Sequence, residues 1–269
     1  MLGILSAAGD FGPGSWRGPD ENIGRFQIVR FPGERRRYTT SMHQLLLGIM
    51  LLGAAPAEKK VEPRPTGVRV ISPNLRVDFD QSRVVLDADV VLREGPLELL
   101  ICPKGTKEHE SILAAEVEPK SFHLALLLAG AKPGRPAEFE PYKPPTGQKI
   151  LIEFEYLKDG KTKRLDARQW IRDIHTSKEI AADFVFAGSR FLKIPGEERA
   201  VWQGDEGDMV CVTNFVGSII DVAVKSSTDN ANLSFEAWTD RIPAKGTKVR
   251  VYFTPLPEDR PEEKKPPSK

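Results

Sequence analysis

From residue 68 onward, short apolar runs alternate with charged positions at a period of two, which predicts strands half-buried on one face. Four runs (68–71, 76–79, 84–92 and 97–102) follow one another, separated by Pro, Asn, Asp-Gln-Ser and Glu-Gly-Pro turns. Residues 150–156 read Ile-Leu-Ile-Glu-Phe-Glu-Tyr, the cleanest alternation in the chain. Asp159-Gly160 then signals a hairpin, with a return strand over 163–167. Further strands are expected at 184–186, 209–215, 221–224, 233–238 and 249–253. One stretch has a different period. Pro119 opens it, Phe122, Ala125, Leu126 and Leu128 fill it, and Gly130 closes it, the asymmetry of a helix over about 119–130. Its apolar content on every side predicts a helix packed on a sheet with little exposed. The fold class expected is therefore α+β: a mostly antiparallel β-sheet with one well-defined packing helix.

The ends have another character. Residues 45–53, Leu-Leu-Leu-Gly-Ile-Met-Leu-Leu-Gly, precede Ala54-Ala55-Pro56-Ala57, with Ala55 and Ala57 in the A-x-A positions of a signal-peptidase site. Nine apolar residues are too few to span a bilayer, which takes about 20. The expected organisation is an N-terminal extension over 1–41, a signal peptide over 42–57, a linker over 58–66, a domain over 67–254 and a disordered polar tail over 255–269. Met42 is an alternative start that leaves 1–41 untranslated. No cysteine follows the apolar segment, so a lipid anchor at that cleavage site is excluded.

Charge removes one class of function. The chain has 39 Lys+Arg and 38 Asp+Glu; six basic and four acidic residues fall in 1–57, leaving 33 against 34 for the rest. That balance lacks the basic footprint of a general nucleic-acid binder. Two cysteines, Cys102 and Cys211, are too few for an iron–sulfur cluster. Both lie in apolar runs, consistent either with a disulfide in an oxidising compartment or with two separate buried thiols.

The densest polar cluster is Lys104-Gly105-Thr106-Lys107-Glu108-His109-Glu110-Ser111, expected to be a loop of hairpin type between two apolar strands. A zinc protease needs His-Glu-x-x-His, but position 113 is Leu. His109 and Ser111 would share a face of an extended segment, yet no Gly-x-Ser-x-Gly elbow surrounds Ser111. Binding of a ligand or metal by His109 and Glu110 with remote partners asks least of the sequence. His123 reads as a packed core histidine, and His175 as an edge or loop residue. Nothing in the spacing of His109, His123 and His175 makes them converge as a three-His site. Asp205-Glu206-Gly207-Asp208 lacks the ligand spacing of a calcium loop and reads as an acidic turn. Gly130-Ala131-Lys132-Pro133-Gly134 has no phosphate-loop spacing. Trp170, Trp202, Trp238 and Tyr142 are candidates for a sugar-stacking face, although aromatics scattered singly are more often core.

Several blocks are long enough to carry a resemblance. These are Cys102-Pro103-Lys104-Gly105-Thr106-Lys107-Glu108-His109-Glu110-Ser111-Ile112-Leu113, the run from Ala125 to Gly134, Tyr142-Lys143-Pro144-Pro145-Thr146-Gly147, Phe184-Val185-Phe186-Ala187-Gly188-Ser189, and the run from Phe235 to Pro243. Over roughly 66–254 the chain resembles the YdjY-like domain proteins of planctomycete-type bacteria. The resemblance implies secreted or periplasmic proteins with a signal peptide, and assigns no activity or catalytic residue. The long extension before Met42 departs from that pattern.

The reading that follows is an exported, non-enzymatic extracytoplasmic binding or structural domain. Lys104, Thr106, Lys107, His109, Glu110 and Ser111 are its ligand-binding candidates, with His109 and Glu110 foremost. The alternative is a metal-assisted hydrolase of cell-envelope material, with His109 as a ligand and Glu110 as general base. No cofactor is required by the sequence. The expected partner is a small molecule, a polysaccharide or a protein, with no nucleic acid and no transmembrane span after signal cleavage.

Overall fold

In the computed structural model, which describes residues 65–196, 198–226 and 233–257, most of the expected runs pair into one eleven-stranded sheet, while the run at 233–238 supplies Phe235–Ala237 to a separate three-stranded sheet beside Ile171–Asp173. The expected extension and signal peptide, most of the expected linker, and residues 258–269 lie outside the described residues. The sheet comprises β1 (Val68–Ser72), β2 (Leu75–Asp78), β3 (Arg83–Val90), β4 (Leu99–Pro103), β5 (Ser111–Ala115), β6 (Ile150–Lys158), β7 (Lys161–Asp166), β8 (Phe184–Phe186), β9 (Val210–Cys211), β10 (Ile220–Val222) and β11 (Lys248–Pro255). Their spatial order is β7-β6-β11-β3-β5-β4-β9-β10-β8, with β2 and β1 branching from the first half of β3. Pairing is antiparallel except for β4 with β5 and β9 with β10. The path returns on itself. Lys149, next to β6, bridges Val185 of β8, and the Phe186 N–H donates to the Gln148 carbonyl.

Period two decides which face is inside. Ile150, Ile152, Phe154 and Tyr156 of β6 are buried while the residues between them are half-exposed. Phe154 meets Trp170 at 4.5 Å between ring centroids. The Asp159-Gly160 turn forms as its residues require: both have positive φ (51° and 72°), and Lys158 pairs with Lys161. A strand expected over 209–215 is confined to Val210–Cys211, because the Val212 and Thr213 N–H groups turn to the Glu98 carbonyl.

The helix α1 (Pro119–Leu128) ends in a Schellman motif. Gly130, at φ 93°, lets the Ala131 N–H reach the Leu126 carbonyl and its own N–H reach that of Leu127. Phe122, Ala125 and Leu126 enter the core, Phe122 lying 4.9 Å from Phe253. The expected burial on all sides is corrected here. Leu124, Leu127 and Leu128 stand on the opposite side and are 40–49% exposed, because the sheet covers only one face of the helix.

The expected hairpin between 97–102 and the following strand is also corrected: β4 and β5 run parallel. Every residue of both strands is buried, and strands buried on two faces read as unbroken apolar runs that hide their direction. Parallel neighbours usually need a crossover of a dozen residues or more. Here 104–110 suffices, since seven extended residues reach about 23 Å and five-residue strands are short. No helix among the described residues is long and apolar enough to cross a membrane.

Candidate functional site

The 104–110 crossover is held from both ends. At its start the Lys104 N–H donates to Ala115 O (2.8 Å) and the Thr106 hydroxyl donates to Pro103 O (2.6 Å). Gly105, at φ 79°, donates its N–H to the Glu108 carboxylate at 2.8 Å. At its end the Glu110 carbonyl accepts from the Glu98 and Leu99 N–H groups. Between these points Lys107 turns inward. Its ammonium meets Asp208 at 2.5 Å and lies 4.8 Å from the Phe215 ring centroid. Asp208 is buried and 28% of the Lys107 side chain remains exposed. Burial works against the Lys107 charge, but the Asp208 hydrogen bond and charge outweigh it and raise the lysine pKa.

The six candidate residues therefore part company. Lys104 faces a groove described below. Thr106 and Lys107 fasten the loop, and Glu110 joins Glu98, whose carboxyl is raised by burial and then by the charge and hydrogen bond of Glu110. Ser111 is fully buried and donates to Leu113 O at 2.9 Å, out of reach of a ligand in solvent. The His109 side chain is 78% exposed, with Glu110 3.7 Å away. Among the described residues, no group of three or more His, Cys, Asp and Glu is gathered that could hold a metal ion. His123 packs against Phe186 and Trp202, and burial lowers its pKa.

Both cysteines are unlinked, buried thiols. Cys211 pairs with Leu99 across β4, three residues from Cys102. Three residues of strand separate the two by roughly 10 Å, too far for a disulfide without backbone movement. Burial raises both thiol pKa values, Cys211 well above the ordinary one, so neither is a ready thiolate nucleophile. The acidic turn opens outward and inward: Asp205 pairs with Lys120 while Asp208 takes Lys107. The aromatics form no common face. Trp170 is buried, Trp202 covers His123, Trp238 lies under Arg241 at 3.4 Å, and Tyr142 donates to Asn214 Oδ1 at 3.0 Å.

Behind the crossover lies a network that sequence reading missed. Asp221, fully buried, accepts from Asn214 Nδ2 (2.9 Å), the Ser218 hydroxyl (2.8 Å) and the Val222 N–H (2.8 Å). Asn214 Oδ1 in turn accepts from Tyr142 and the Ser226 N–H. Burial pushes the Asp221 carboxyl up to about 7 in spite of these donors. The only sequence signal was an acidic residue inside an apolar strand.

Two adjoining concavities, about 610 and 520 Å³, share Lys104 and Glu116. The larger crosses the outer face of β3, β11 and β6; the smaller runs past Pro103 and Ile71 to Ser121 at the start of α1. Most charges in the larger one are already matched. Asp87 takes Arg76 and Arg250, whose hydrogen bonds outweigh burial and lower its pKa, and Asp89 takes Lys248. Neither the Lys104 nor the Glu116 side chain has an ion-pair partner among the described residues, and the Glu116 carbonyl accepts from Asn74 at 3.3 Å.

The Asp221 carboxyl fixes a pH dependence. The unfolded chain releases this proton near 3.8, whereas the folded chain keeps it to about 7, so rising pH favours unfolding across that window. The contribution falls at up to about 1.4 kcal/mol per pH unit, and levels off above it. In Asp221→Asn the amide oxygen keeps two donors and the Ser218 hydroxyl turns to accept. Urea midpoints at pH 5 and pH 8 are expected to differ less in the variant than in the wild type; equal differences would refute the assignment.

A model of the YdjY domain matches residues 75–254, most of the described chain and nearly all of its sheet. No curated protein and no solved structure matches the chain. The matched span begins at β2 and runs through the crossover, the groove and the Asp221 network to β11, and so the chain belongs to the YdjY domain family.

Proposed function

We propose that this domain is a non-enzymatic binding module that works outside the cytoplasm and takes an extended polar ligand in the groove centred on Lys104 and Glu116. The observation that carries the reading is the contrast of charges in the groove. Asp87, Asp89, Lys248 and Arg250 neutralise one another, while Lys104 and Glu116 stand side by side in both concavities without ion-pair partners among the described residues. An ammonium and a carboxylate offered together suit a chain with polar groups of both kinds, such as an envelope oligosaccharide or a short peptide. The groove's length, from Thr162 to Ser121, suits an oligomer better than a single small molecule. The hydrolase reading gains no comparable support: His109 has Glu110 3.7 Å away, but no group of three or more His, Cys, Asp and Glu gathers among the described residues. Residues 45–57 support export, as an apolar run ending in Ala-Pro-Ala.

Two measurements check this. In a thermal-shift screen against envelope oligosaccharides and short peptides, a binder is expected to raise the melting temperature by several degrees at saturation. The rise should vanish in Lys104→Ala and Glu116→Gln and persist in His109→Ala. A flat screen, or a shift indifferent to Lys104 and Glu116, counts against the groove. Amino-terminal sequencing of the protein recovered from its native cells is expected to start at Glu58. Cytoplasmic protein with 45–57 intact would contradict export.

A further inference from the structure

Outside the groove, exposed large apolar side chains concentrate on two neighbouring elements. Leu124, Leu127 and Leu128 lie along the uncovered side of α1, and the hairpin formed by Phe191–Leu192 and Val201–Trp202 carries Phe191 on the side of its pair partner Trp202, with Leu192 and Val201 on its other side. Phe191 is 70% exposed. The two elements are joined: Trp202, paired with Phe191, packs on His123 at 5.4 Å between centroids, and Lys120 bonds Asp205 at 2.5 Å. One helical turn beyond His123 comes Leu127, and one beyond Lys120 comes Leu124, so the helix leucines continue from the hairpin contact. Leu124, Leu127, Leu128 and Phe191 thus put four large, 40–70% exposed apolar side chains on two elements in contact, where single scattered ones are the rule on a monomer.

We propose that this face is covered by a second copy of the chain across a two-fold axis. Two observations select that occupant. First, the fringe carries both signs: beyond the internal Lys120–Asp205 pair, Lys193 and Arg199 stand against Glu198 and Glu206. A mixed fringe complements itself when rotated by a two-fold axis, whereas an anionic membrane surface asks for basic residues alone. Second, the hairpin is a sheet of two strands with no third strand beside it among the described residues. Two strands alone are marginal in water, and their open edges are templates for another chain. A second hairpin in antiparallel register would supply both the missing strand and the missing apolar cover.

Sedimentation velocity of the full chain tests this, with Phe191→Glu and Leu124→Glu as separate variants and Leu157→Glu, exposed on β6 away from this face, as control. The expected result is a concentration-dependent dimer, weakened tenfold or more by each of the first two substitutions and unchanged by the third. Thermal melting should show all three folded, as the replaced side chains are largely in solvent. In Leu192→Cys a disulfide-linked dimer should form under mild oxidation, because both native thiols are buried. A wild type monomeric at 100 μM would overturn the proposal, even if it bound anionic vesicles or another protein through the same residues. A dimer indifferent to Phe191→Glu and Leu124→Glu would overturn it equally.

Discussion

The ion pair between Lys107 and Asp208 makes the unusual part of this fold workable. Two fully buried strands, β4 and β5, run parallel and are joined by only seven residues. Such a link has to carry polar backbone back along a pair of apolar strands. Hydrogen bonds secure its two ends, but its middle is held by one ammonium pulled onto a buried carboxylate at 2.5 Å and set against the Phe215 ring. Burying that charge pair has a desolvation cost, so its value lies less in net stability than in fixing one path for the loop. The direction of Lys104 into the groove follows from that path.

Around this point the molecule separates its polar groups by task. Glu98 with Glu110, the two neutral thiols and the Asp221 network form a half-buried to buried layer behind the loop, where proton binding rather than charge settles the balance. The groove side has its charges in water and mostly matched. The side built from α1 and the Phe191–Trp202 pair exposes Leu124, Leu127, Leu128 and Phe191 around the His123–Trp202 contact. The surfaces proposed for ligand binding and for self-association thus differ, and substitutions can address them one at a time.

Much of the fold was legible because its signals are local. The alternation of Ile150 to Tyr156, the Asp159-Gly160 turn, and Pro119 and Gly130 at the ends of the helix each act within a few residues. What failed were questions of partner and direction. An unbroken apolar strand such as Ser111–Ala115 states that it is buried and says nothing of parallel or antiparallel pairing. Leu124 and Leu126 look alike in sequence, and only the sheet decides which of them is covered. For the site, the loop was found but its members were not sorted. Lys107 resembles any solvated lysine until Asp208, 101 residues away, is placed beside it, and Glu116 and Asn74 become groove residues only through the pairing of β2, β3 and β5. His109 attracted attention by its residue type, yet the geometry leaves it outward on the loop.

The most direct test of this account is a double-mutant cycle on Lys107 and Asp208, read as unfolding free energy in urea. Lys107→Met alone is expected to cost about 2–3 kcal/mol, less than a fully buried pair because part of the lysine stays in water. Combined with Asp208→Leu, most of that loss should return, giving a coupling energy of about 1.5 kcal/mol or more. Single effects that add to within about 0.5 kcal/mol would show that the two charges do not hold the loop, and the path of the crossover would need another cause.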